Sequence, residues 1–506
     1  MSKSEVRTRL APSPTGEPHV GTAYQALFGY VWAKKNNGSF ILRIEDTDRE
    51  RSSRRWENAI IDSLHWLGLQ WDEGPEVGGP CGPYRQSERL EIYHKYIQQL
   101  VEQGDAYPCF CSRDRLAEVR KERQKAGALS GYDRKCRDIP PEEAKKRVEA
   151  GESFTVRMKV PLEGKSEFRD LLRGSIEKDW ASIDDQVIMK ADGFPTYHLA
   201  VVVDDHLMRI SHIIRGEEWI NSVPKHVLLY QFFGWEPPVF CHLPLLRNSD
   251  KSKLSKRKNP VSINWYRKWG ILPEALLNFI GLMGWRPPED REKFTLKEMI
   301  EEFQLTDVSL GGPVFDTDKL LWLNGKYLRE DLSPDQIMDR LTDWGLNRDK
   351  FSRILEICRG RMNCLSDWGD LTNHFFSGSV PLDSPDLILK DGDEKETTEV
   401  MQMVLWEMEG MTEFTSQNLY TLFKAFSAAL DIKLKFLTKP FYVAMSGKAV
   451  STPLFDTMEI LGIETTRMRI RYAMDKLGGL SKKALKKLEK RYNDLDLDPQ
   501  ETPGVD

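Results

Sequence analysis

Apolar and polar residues follow two different periods in the first part of the chain. Residues 6–10 alternate with the two-residue period of a strand, and Pro12 follows, which suits a strand leaving a sheet. Across 22–35 the apolar residues recur at helical spacing. The same order then repeats, with a predicted strand at 40–44 and a predicted helix at 56–67. This alternation predicts a parallel sheet with crossover helices.

Further along the chain this rhythm is interrupted and later resumes. Residues 90–195 contain a cysteine cluster and a strand-rich part around 154–161, which predicts a domain inserted into the sheet. Strand signals resume at 199–203 and 210–214. From about residue 265 onward the pattern is mostly helical. We therefore expect an α/β region with an insertion, followed by a helical region.

Composition narrows the class of protein without identifying it. A chain of 506 residues is too long for one hydrophobic core, so about three to five domains are expected. Its seven cysteines form an odd and uneven set, which argues against a disulfide framework. The formal net charge of −5 does not indicate a protein that binds nucleic acid over its whole surface. A local basic face that binds nucleic acid is still compatible with this charge. Without a membrane-spanning apolar run or a secretory signal, we expect a cytoplasmic protein without membrane contact.

The segment at 11–22 carries candidate chemistry for a nucleotide triphosphate. It runs from a predicted strand into a helix, and a helix N-terminus attracts phosphate through its unpaired N–H groups. Gly21 permits close approach of a ligand to the backbone, and His19 can donate to phosphate oxygens. Ser13 and Glu45 both follow predicted strands, where ligands of parallel sheets lie. These features predict a phosphate site at the helix entrance.

A second, cationic segment at 253–257 could complete this site. Lys253, Lys256 and Arg257 could neutralise charge developing on a leaving pyrophosphate. The chain contains neither a Rossmann glycine fingerprint nor a P-loop, which disfavours the usual dinucleotide and P-loop enzymes. A plain turn before a helix and a solvated basic loop remain the structural alternative for the two segments.

The two segments belong to an ordered series of matches, through which the chain resembles bacterial-type glutamyl-tRNA synthetases, which are class I aminoacyl-tRNA synthetases. The stretch 19–22 corresponds to the HIGH motif and 253–257 to the KMSKS motif. The resemblance covers the chain up to about residue 330 and is weaker beyond it. Further matching stretches are 43–48, 82–87, 195–198, 203–206, 215–219, 309–315 and 323–327.

The resemblance implies a class I Rossmann-like catalytic domain, an inserted α+β acceptor-binding domain and an all-α anticodon-binding region. Within this plan, the KMSKS loop belongs to a stem-contact domain. The implied boundaries are 1–90 and 196–250 for the catalytic halves, 91–195 for the insertion, 251–332 for the loop and stem-contact domain, and 333–383 and 384–506 for two helical subdomains.

It also implies the roles of particular residues. The implied catalytic residues are His19, Lys253 and Lys256. The implied ATP-binding residues are Pro12, Gly16, His19, Gly21, Thr22, Glu218, Trp219, Lys253, Ser255, Lys256 and Arg257. The implied glutamate-binding residues are Arg9, Ser13, Glu45, Tyr197 and Arg215.

The chemistry of the implied pocket suits glutamate. Arginine holds a carboxylate by paired, charge-assisted hydrogen bonds, and Glu45 suits the substrate ammonium. Neutral glutamine would leave a buried arginine incompletely paired. The alternative is that Glu45 and Arg43 form a structural ion pair. One position departs from the family, because many relatives have asparagine where this chain has Val201.

The cysteine cluster is a candidate zinc site. Cys109, Cys111 and Cys136 could supply three thiolates to a tetrahedral ion, and some relatives have a similar zinc knuckle. Tyr132 and Asp138 are both candidates for the fourth ligand. The alternative is a set of reduced, buried cysteines, because the chain lacks two complete C-x-x-C pairs.

The implied reaction is ATP- and Mg²⁺-dependent ligation of L-glutamate to tRNA(Glu) through glutamyl-adenylate, by a monomer. Arg361 lies where relatives place an arginine that reads the last anticodon base. The main alternative is a non-discriminating enzyme that also glutamylates tRNA(Gln). Three other rivals are an enzyme that glutamylates a modified tRNA base, a glutaminyl-tRNA synthetase and a non-catalytic tRNA-binding protein. The helical C-terminal third disfavours the first two, and the presence of His19, Lys253 and Lys256 disfavours the third.

Overall fold

The computed structural model describes residues 5–125, 131–248, 250–254, 261–345, 348–495 and 497. The chain forms two compact units. The first unit comprises residues 1–255 and 272–327, and the second comprises 256–271 and 328–506. No described helix is long and apolar enough to cross a membrane.

The described strands all lie in the first unit. They are β1 (Arg7–Leu10), β2 (Ser39–Leu42), β3 (Ala106–Cys109), β4 (Thr155–Met158), β5 (Lys165–Asp170), β6 (Gly174–Asp179), β7 (Val187–Met189), β8 (His212–Gly216) and β9 (Val239–Leu243). The helices up to residue 326 are α1 (Val20–Lys35), α2 (Arg54–Leu67), α3 (Leu90–Gln103), α4 (Arg113–Lys125), α5 (Pro141–Glu149), α6 (Tyr197–Leu207), α7 (Val223–Phe233), α8 (Ile263–Trp269), α9 (Pro273–Leu282), α10 (Leu296–Glu302) and α11 (Thr317–Lys326).

Parallel strand pairs form the centre of the first unit. β1 pairs with β2, and β8 pairs with β9, both in parallel. The backbone N–H of Ser211 donates to the carbonyl of Arg7 at 2.9 Å, which places β8 beside β1. The predicted parallel arrangement with crossover helices is therefore confirmed. β1 lies within the stretch at 6–10 whose pattern predicts a strand, and all four of its residues are buried.

Buried polar residues on β1 are tolerated because each has a partner. The Thr8 hydroxyl donates to the carbonyl of Gly29 at 2.8 Å. The Arg7 guanidinium lies 2.8 Å from the carboxylate of Glu73. Paired polar groups avoid most of the cost of burial, so a strand with polar alternation can lie inside the sheet.

One sequence prediction is wrong, because residues 199–203 lie in helix α6 and not in a strand. All five of these residues are buried, from Leu199 to Val203. A helix that is enclosed on every side shows a continuous apolar run without a period, which cannot be distinguished from a buried strand. The strand predicted at 210–214 is confirmed as β8, shifted by two residues.

The predicted insertion contributes to two different sheets. β3, β4 and β7 form an antiparallel sheet of their own. The hairpin of β5 and β6 instead joins the sheet of β8 and β9, where Asp170 pairs in parallel with Phe240. The predicted domain boundaries stay predictions, but this hairpin brings residues of the insertion next to the catalytic strands.

The second unit is helical in its described residues, as the C-terminal pattern predicts. Its core contains fully buried aromatic side chains, including Phe423, Phe426 and Phe441. The buried Arg469 guanidinium donates to the carbonyls of His374 and Ser377 at 2.7 and 2.6 Å. Besides α8, its helices are α12 (Pro334–Trp344), α13 (Arg348–Cys358), α14 (Asp367–Thr372), α15 (Glu394–Gly410), α16 (Ser416–Ala429), α17 (Leu434–Leu437), α18 (Lys439–Ser446), α19 (Leu454–Lys476) and α20 (Lys482–Asn493).

Candidate active site

His19 caps the N-terminus of helix α1. Its Nδ1 accepts a hydrogen bond from the backbone N–H of Gly21 at 2.9 Å. A ring nitrogen that accepts an N–H carries no proton, so in the neutral imidazole the proton lies on Nε2. The cap therefore selects the tautomer in which Nε2 is a donor. A donor beside a helix N-terminus suits a phosphate oxygen.

A cavity of about 280 Å³ opens at this helix end. Of the predicted ATP-binding residues, it is lined by His19, Gly21, Thr22, Glu218 and Lys253. The remaining lining residues are Tyr24, Gln25, Gly216, Pro244, Leu245, Leu246 and Leu254. The motif at the start of α1 and the ends of β8 and β9 thus meet at one cavity, as parallel-sheet topology predicts.

The other predicted ATP-binding residues lie elsewhere or outside the described part. Pro12 and Gly16 are half-buried in the loop before α1 and are not among the lining residues described. The Trp219 ring packs against the ring of Tyr197, with centroids 4.5 Å apart. Ser255, Lys256 and Arg257 lie outside the described residues.

The loop after β9 holds Lys253 beside the cavity. The backbone N–H of Leu254 donates to the carbonyl of Leu246 at 2.9 Å. The side-chain amide of Asn248 donates to the carbonyl of Lys253 at 2.9 Å. These two bonds fix the peptide group that links Lys253 to Leu254, while the side chain of Lys253 is exposed. A positioned cation here suits a polyphosphate.

A second group of predicted residues forms a buried pocket around Arg215. Arg215 lies in β8 and is 2% exposed. Its Nη1 donates to the hydroxyl of Tyr197 at 2.9 Å, and its Nε donates to Nε2 of His242 at 3.1 Å. Burial lowers the pKa of Arg215. Among the described residues, Nη2 of Arg215 has no hydrogen-bond partner although it is buried.

The acidic residue of the pocket, Glu45, lies beside positively charged arginines. Burial raises the pKa of Glu45, although the positive charges of Arg43 and Arg9 oppose that rise. Arg43 Nη2 donates to Glu45 at 3.0 Å. The backbone N–H of Glu45 donates to the carbonyl of Pro12 at 3.0 Å, which fixes Glu45 beyond the end of β2. The predicted structural ion pair therefore exists, and it holds a candidate ligand-binding carboxylate.

The remaining predicted glutamate-binding residues have different surroundings. Arg9 is buried, and its Nε and Nη2 donate to the carboxylate of Asp205 at 3.1 and 3.3 Å. Ser13 is exposed in the loop after β1. Val201, the departure from the family pattern, is 1% exposed within α6 and packs in the hydrophobic core.

Sequence reasoning missed Asp205, His242 and Asp170 as supports of this pocket. Asp205 follows the run at 199–203 that was mistaken for a strand, so its position on a buried helix beside Arg9 was not recognised. His242 could have been found from sheet register, because it pairs with Arg215 across β8 and β9. Asp170 lies 72 residues before His242, so no local pattern connects them.

The three predicted metal-binding cysteines lie together. Their sulfur atoms are all within 4.8 Å of one another, and Cys111 and Cys136 approach to 3.6 Å. A tetrahedral ion with Zn–S bonds of about 2.3 Å needs sulfur atoms roughly 3.8 Å apart, so the cluster fits zinc. The Tyr132 hydroxyl lies 3.3 Å from the sulfur of Cys109, whereas Asp138 is exposed.

In the second unit, Arg361 is exposed at the end of a short 3₁₀ helix that follows α13. Its Nη1 donates to the carbonyl of Ser451. This bond fixes one edge of the guanidinium on the protein surface.

Fold and site together define a nucleotide-dependent α/β enzyme of the class I tRNA synthetase type. Residues 5–322 match the model of the catalytic domain of tRNA synthetases class I (E and Q). Residues 335–474 match an anticodon binding domain.

The chain belongs to the glutamate–tRNA ligase family. It is 50% identical over 502 residues to the glutamate–tRNA ligase of Cellvibrio japonicus (strain Ueda107), covering 99% of both chains. It is 51% identical over 489 residues to that of Pseudoalteromonas translucida (strain TAC 125), covering 97% of this chain and 99% of the relative. A crystal structure of a glutamate tRNA ligase from Elizabethkingia meningosepticum CCUG26117, in complex with its amino acid, is similar with a TM-score of 0.64 and 34% identity. The match covers 94% of this chain and all of that one.

Proposed function

We propose that this protein ligates L-glutamate to tRNA(Glu) in two steps for protein synthesis. The α-carboxylate of glutamate attacks the α-phosphate of ATP, forming glutamyl-adenylate and releasing pyrophosphate. The 2′-hydroxyl of the terminal adenosine of the tRNA then attacks the activated carbonyl and releases AMP. The close full-length likeness to glutamate–tRNA ligases supports the activity, and the described pocket supports the amino acid.

The observation that supports glutamate as the amino-acid substrate is the charge balance around Arg215. The Arg215 guanidinium contacts only neutral partners, Tyr197 and His242, in the described pocket. A buried cation is stabilised by a counter-charge, and the side-chain carboxylate of glutamate supplies one. By contrast, three other buried arginines face three buried carboxylates: Arg9, Arg43 and Arg89 face Asp204, Asp205 and Glu45.

Catalysis by this site rests on positioning and electrostatics. His19 Nε2 donates to the phosphate that is attacked, at the positive end of α1. Lys253 lines the same cavity, and Lys256 of the KMSKS segment is proposed to balance the leaving pyrophosphate. ATP enters as its Mg²⁺ complex, and the metal offsets phosphate charge. No covalent intermediate with the enzyme is needed.

The two units divide the contacts with tRNA. We propose that the inserted region binds the acceptor end and that the helical unit binds the anticodon, with Arg361 reading its last base. An arginine fixed by one backbone bond keeps other N–H donors for a base edge. Because its substrates meet where translation occurs, we propose that the protein acts in the cytoplasm, as a monomer. Light scattering after size exclusion checks the oligomeric state.

A structural zinc ion is proposed at the cysteine cluster, with Cys109, Cys111, Cys136 and Tyr132 as ligands. The positive charge of Arg115, whose Nη1 lies 3.3 Å from the sulfur of Cys111, suits an anionic metal–thiolate centre. Metal analysis of protein purified without chelator should find about one zinc per chain. Cys136→Ser should lose it, whereas Cys364→Ser, at an exposed cysteine in the other unit, should retain it.

Side-by-side charging tests the proposed activity. Purified tRNA(Glu) and tRNA(Gln) are each incubated with the protein, ATP and radiolabelled glutamate or glutamine. We expect glutamate on tRNA(Glu) alone. Glutamate on both tRNAs would instead establish a non-discriminating enzyme, and an absence of glutamate charging would overturn the proposal. Arg361→Gln should reduce the preference for tRNA(Glu) without changing the affinity for glutamate.

A further inference from the structure

Arg215 is held by a residue on the neighbouring strand. Arg215 in β8 and His242 in β9 are register partners of parallel strands. Arg215 Nε donates to His242 Nε2 at 3.1 Å, and the His242 ring is fully buried. Parallel strands in the centre of a sheet have rigid backbones, so this contact has little freedom to drift.

The protonation pattern of His242 follows from its two neighbours. Arginine offers only donors, so His242 Nε2 must accept and its proton must lie on Nδ1. Nδ1 lies 2.7 Å from a carboxylate oxygen of Asp170, which is a suitable acceptor. Burial lowers the pKa of His242, as does the charge of Arg215, while Asp170 opposes that shift. The ring is therefore neutral, in one tautomer.

Asp170 is itself fixed in place by backbone donors. One of its carboxylate oxygens accepts from the N–H groups of Leu172 and Arg173 at 3.0 and 3.1 Å. The other also accepts from the backbone N–H of His242 at 3.1 Å. Since Asp170 ends β5, the inserted hairpin supplies the last member of a chain of hydrogen bonds to the pocket.

We propose that His242, oriented by Asp170, is a positioning residue that aims Arg215 at the side-chain carboxylate of the amino-acid substrate. The Nε bond to His242 and the Nη1 bond to Tyr197 together fix the plane of the guanidinium. Nη2, which has no partner among the described residues, is then the donor left for the ligand. This inference rests on the proposed function and deepens it by naming what sets amino-acid affinity.

Two substitutions of His242 distinguish a role in orienting Arg215 from a role in packing alone. The amide of His242→Asn reaches Asp170 but is too short to accept from Arg215 Nε. The longer amide of His242→Gln reaches the position of Nε2 and can accept that bond. Loss of an acceptor for a buried charged donor should raise the KM for glutamate roughly ten- to hundredfold in His242→Asn. His242→Gln should stay within about fivefold of the wild type, because it retains that acceptor.

Steady-state charging of tRNA(Glu) gives KM for glutamate and for ATP in each variant. We expect KM for ATP to change less than about twofold, because the ATP cavity does not include His242. His212→Gln, at the opposite end of β8, is the matched control and should leave both constants unchanged. Should His242→Asn fail to fold in a thermal melt, Asp170→Asn takes its place. That change puts an amide donor against Nδ1 and reverses the tautomer.

Each outcome shows whether His242 positions Arg215 for the substrate or has only a structural role. A selective rise in KM for glutamate, with recovery in His242→Gln, supports the proposal. Equal rises in both constants, an unchanged KM for glutamate, or no recovery in His242→Gln would overturn it. If the wild-type protein does not charge tRNA with glutamate, the proposed function fails first, so the two failures are distinguishable.

Discussion

His19 caps a helix, and we propose that it also donates to phosphate; one substitution should remove only the second role. In the structure, Nδ1 caps helix α1 by accepting from the Gly21 N–H at 2.9 Å, which leaves the proton on Nε2. Asparagine is a favourable N-cap whose side-chain oxygen can take the place of Nδ1. It has no group at the position of Nε2. His19→Asn should therefore keep the cap and lose the phosphate donor.

The two losses differ in size. Removing one preorganised donor to developing charge costs about a hundred- to a thousandfold in kcat, or about 2.7–4 kcal/mol. Removing an N-cap costs about 1 kcal/mol of stability. His19→Ala should lose both, because alanine can neither cap nor donate. His19→Asn should match the wild type in stability and match His19→Ala in its loss of activity.

Single-turnover formation of glutamyl-tRNA(Glu) at saturating ATP measures the chemical rate, and chemical denaturation measures the free energy of unfolding. The two variants should have similar rates and different stabilities. If His19→Asn kept its rate within tenfold of the wild type, the histidine would be only a cap. If His19→Asn were as unstable as His19→Ala, the inferred role of Nδ1 would be incorrect.

Three further predictions follow from the pocket and from the helical unit. Tyr197→Phe removes the acceptor of Arg215 Nη1 and should raise the KM for glutamate about tenfold in charging assays, with the KM for ATP unchanged. Arg215→Met should abolish charging yet raise the free energy of unfolding by about 1–4 kcal/mol, because it removes a buried charge that has no carboxylate partner among the described residues. An unfolding curve matching the wild type would contradict this. Burial, and then the charges of Arg469 and Lys448, lower the pKa of His374 to about 3, below the value of about 6.5 in an unfolded chain. The unfolded state therefore binds the proton first, and this histidine should cost about 1.3 kcal/mol of stability at pH 5.5 relative to pH 7. Denaturation at both pH values should show a loss of stability that is larger by this amount in the wild type than in His374→Gln, in which the other buried histidines, such as His242, still contribute.

The parts of the site that local sequence determines could be predicted. His19 and Gly21 were placed at a helix entrance because a strand, a turn and a helix follow one another within a short stretch. Glu45 was placed past a strand end for the same reason, and the structure locates it beyond β2. The carboxyl ends of parallel strands meet at one edge, so topology alone brings such residues together.

The partners that hold these residues could not be predicted, because they come from distant parts of the chain. The carboxylate that binds Arg9 belongs to Asp205, 196 residues later. Asp205 projects from α6, whose apolar run was mistaken for a strand, so the helix face that carries it was not visible in the pattern. Buried ion pairs between residues far apart in the chain need tertiary structure to bring them together, and a single sequence carries no period that marks them.

The specificity for glutamate that we propose rests on a contact between Arg215 and the substrate, which the free protein does not make. The resemblance implies that Arg215 binds a ligand, but only the placed side chains show that its partners among the described residues are Tyr197 and His242 and include no carboxylate. An isolated buried guanidinium is costly to the free protein, whereas the neighbouring arginines are balanced internally. A substrate carboxylate relieves that cost and glutamine does not. In the proposed pocket, the protein therefore keeps a destabilising buried charge at a place where binding of glutamate stabilises it. His242 and Tyr197 orient the Arg215 guanidinium toward the substrate carboxylate.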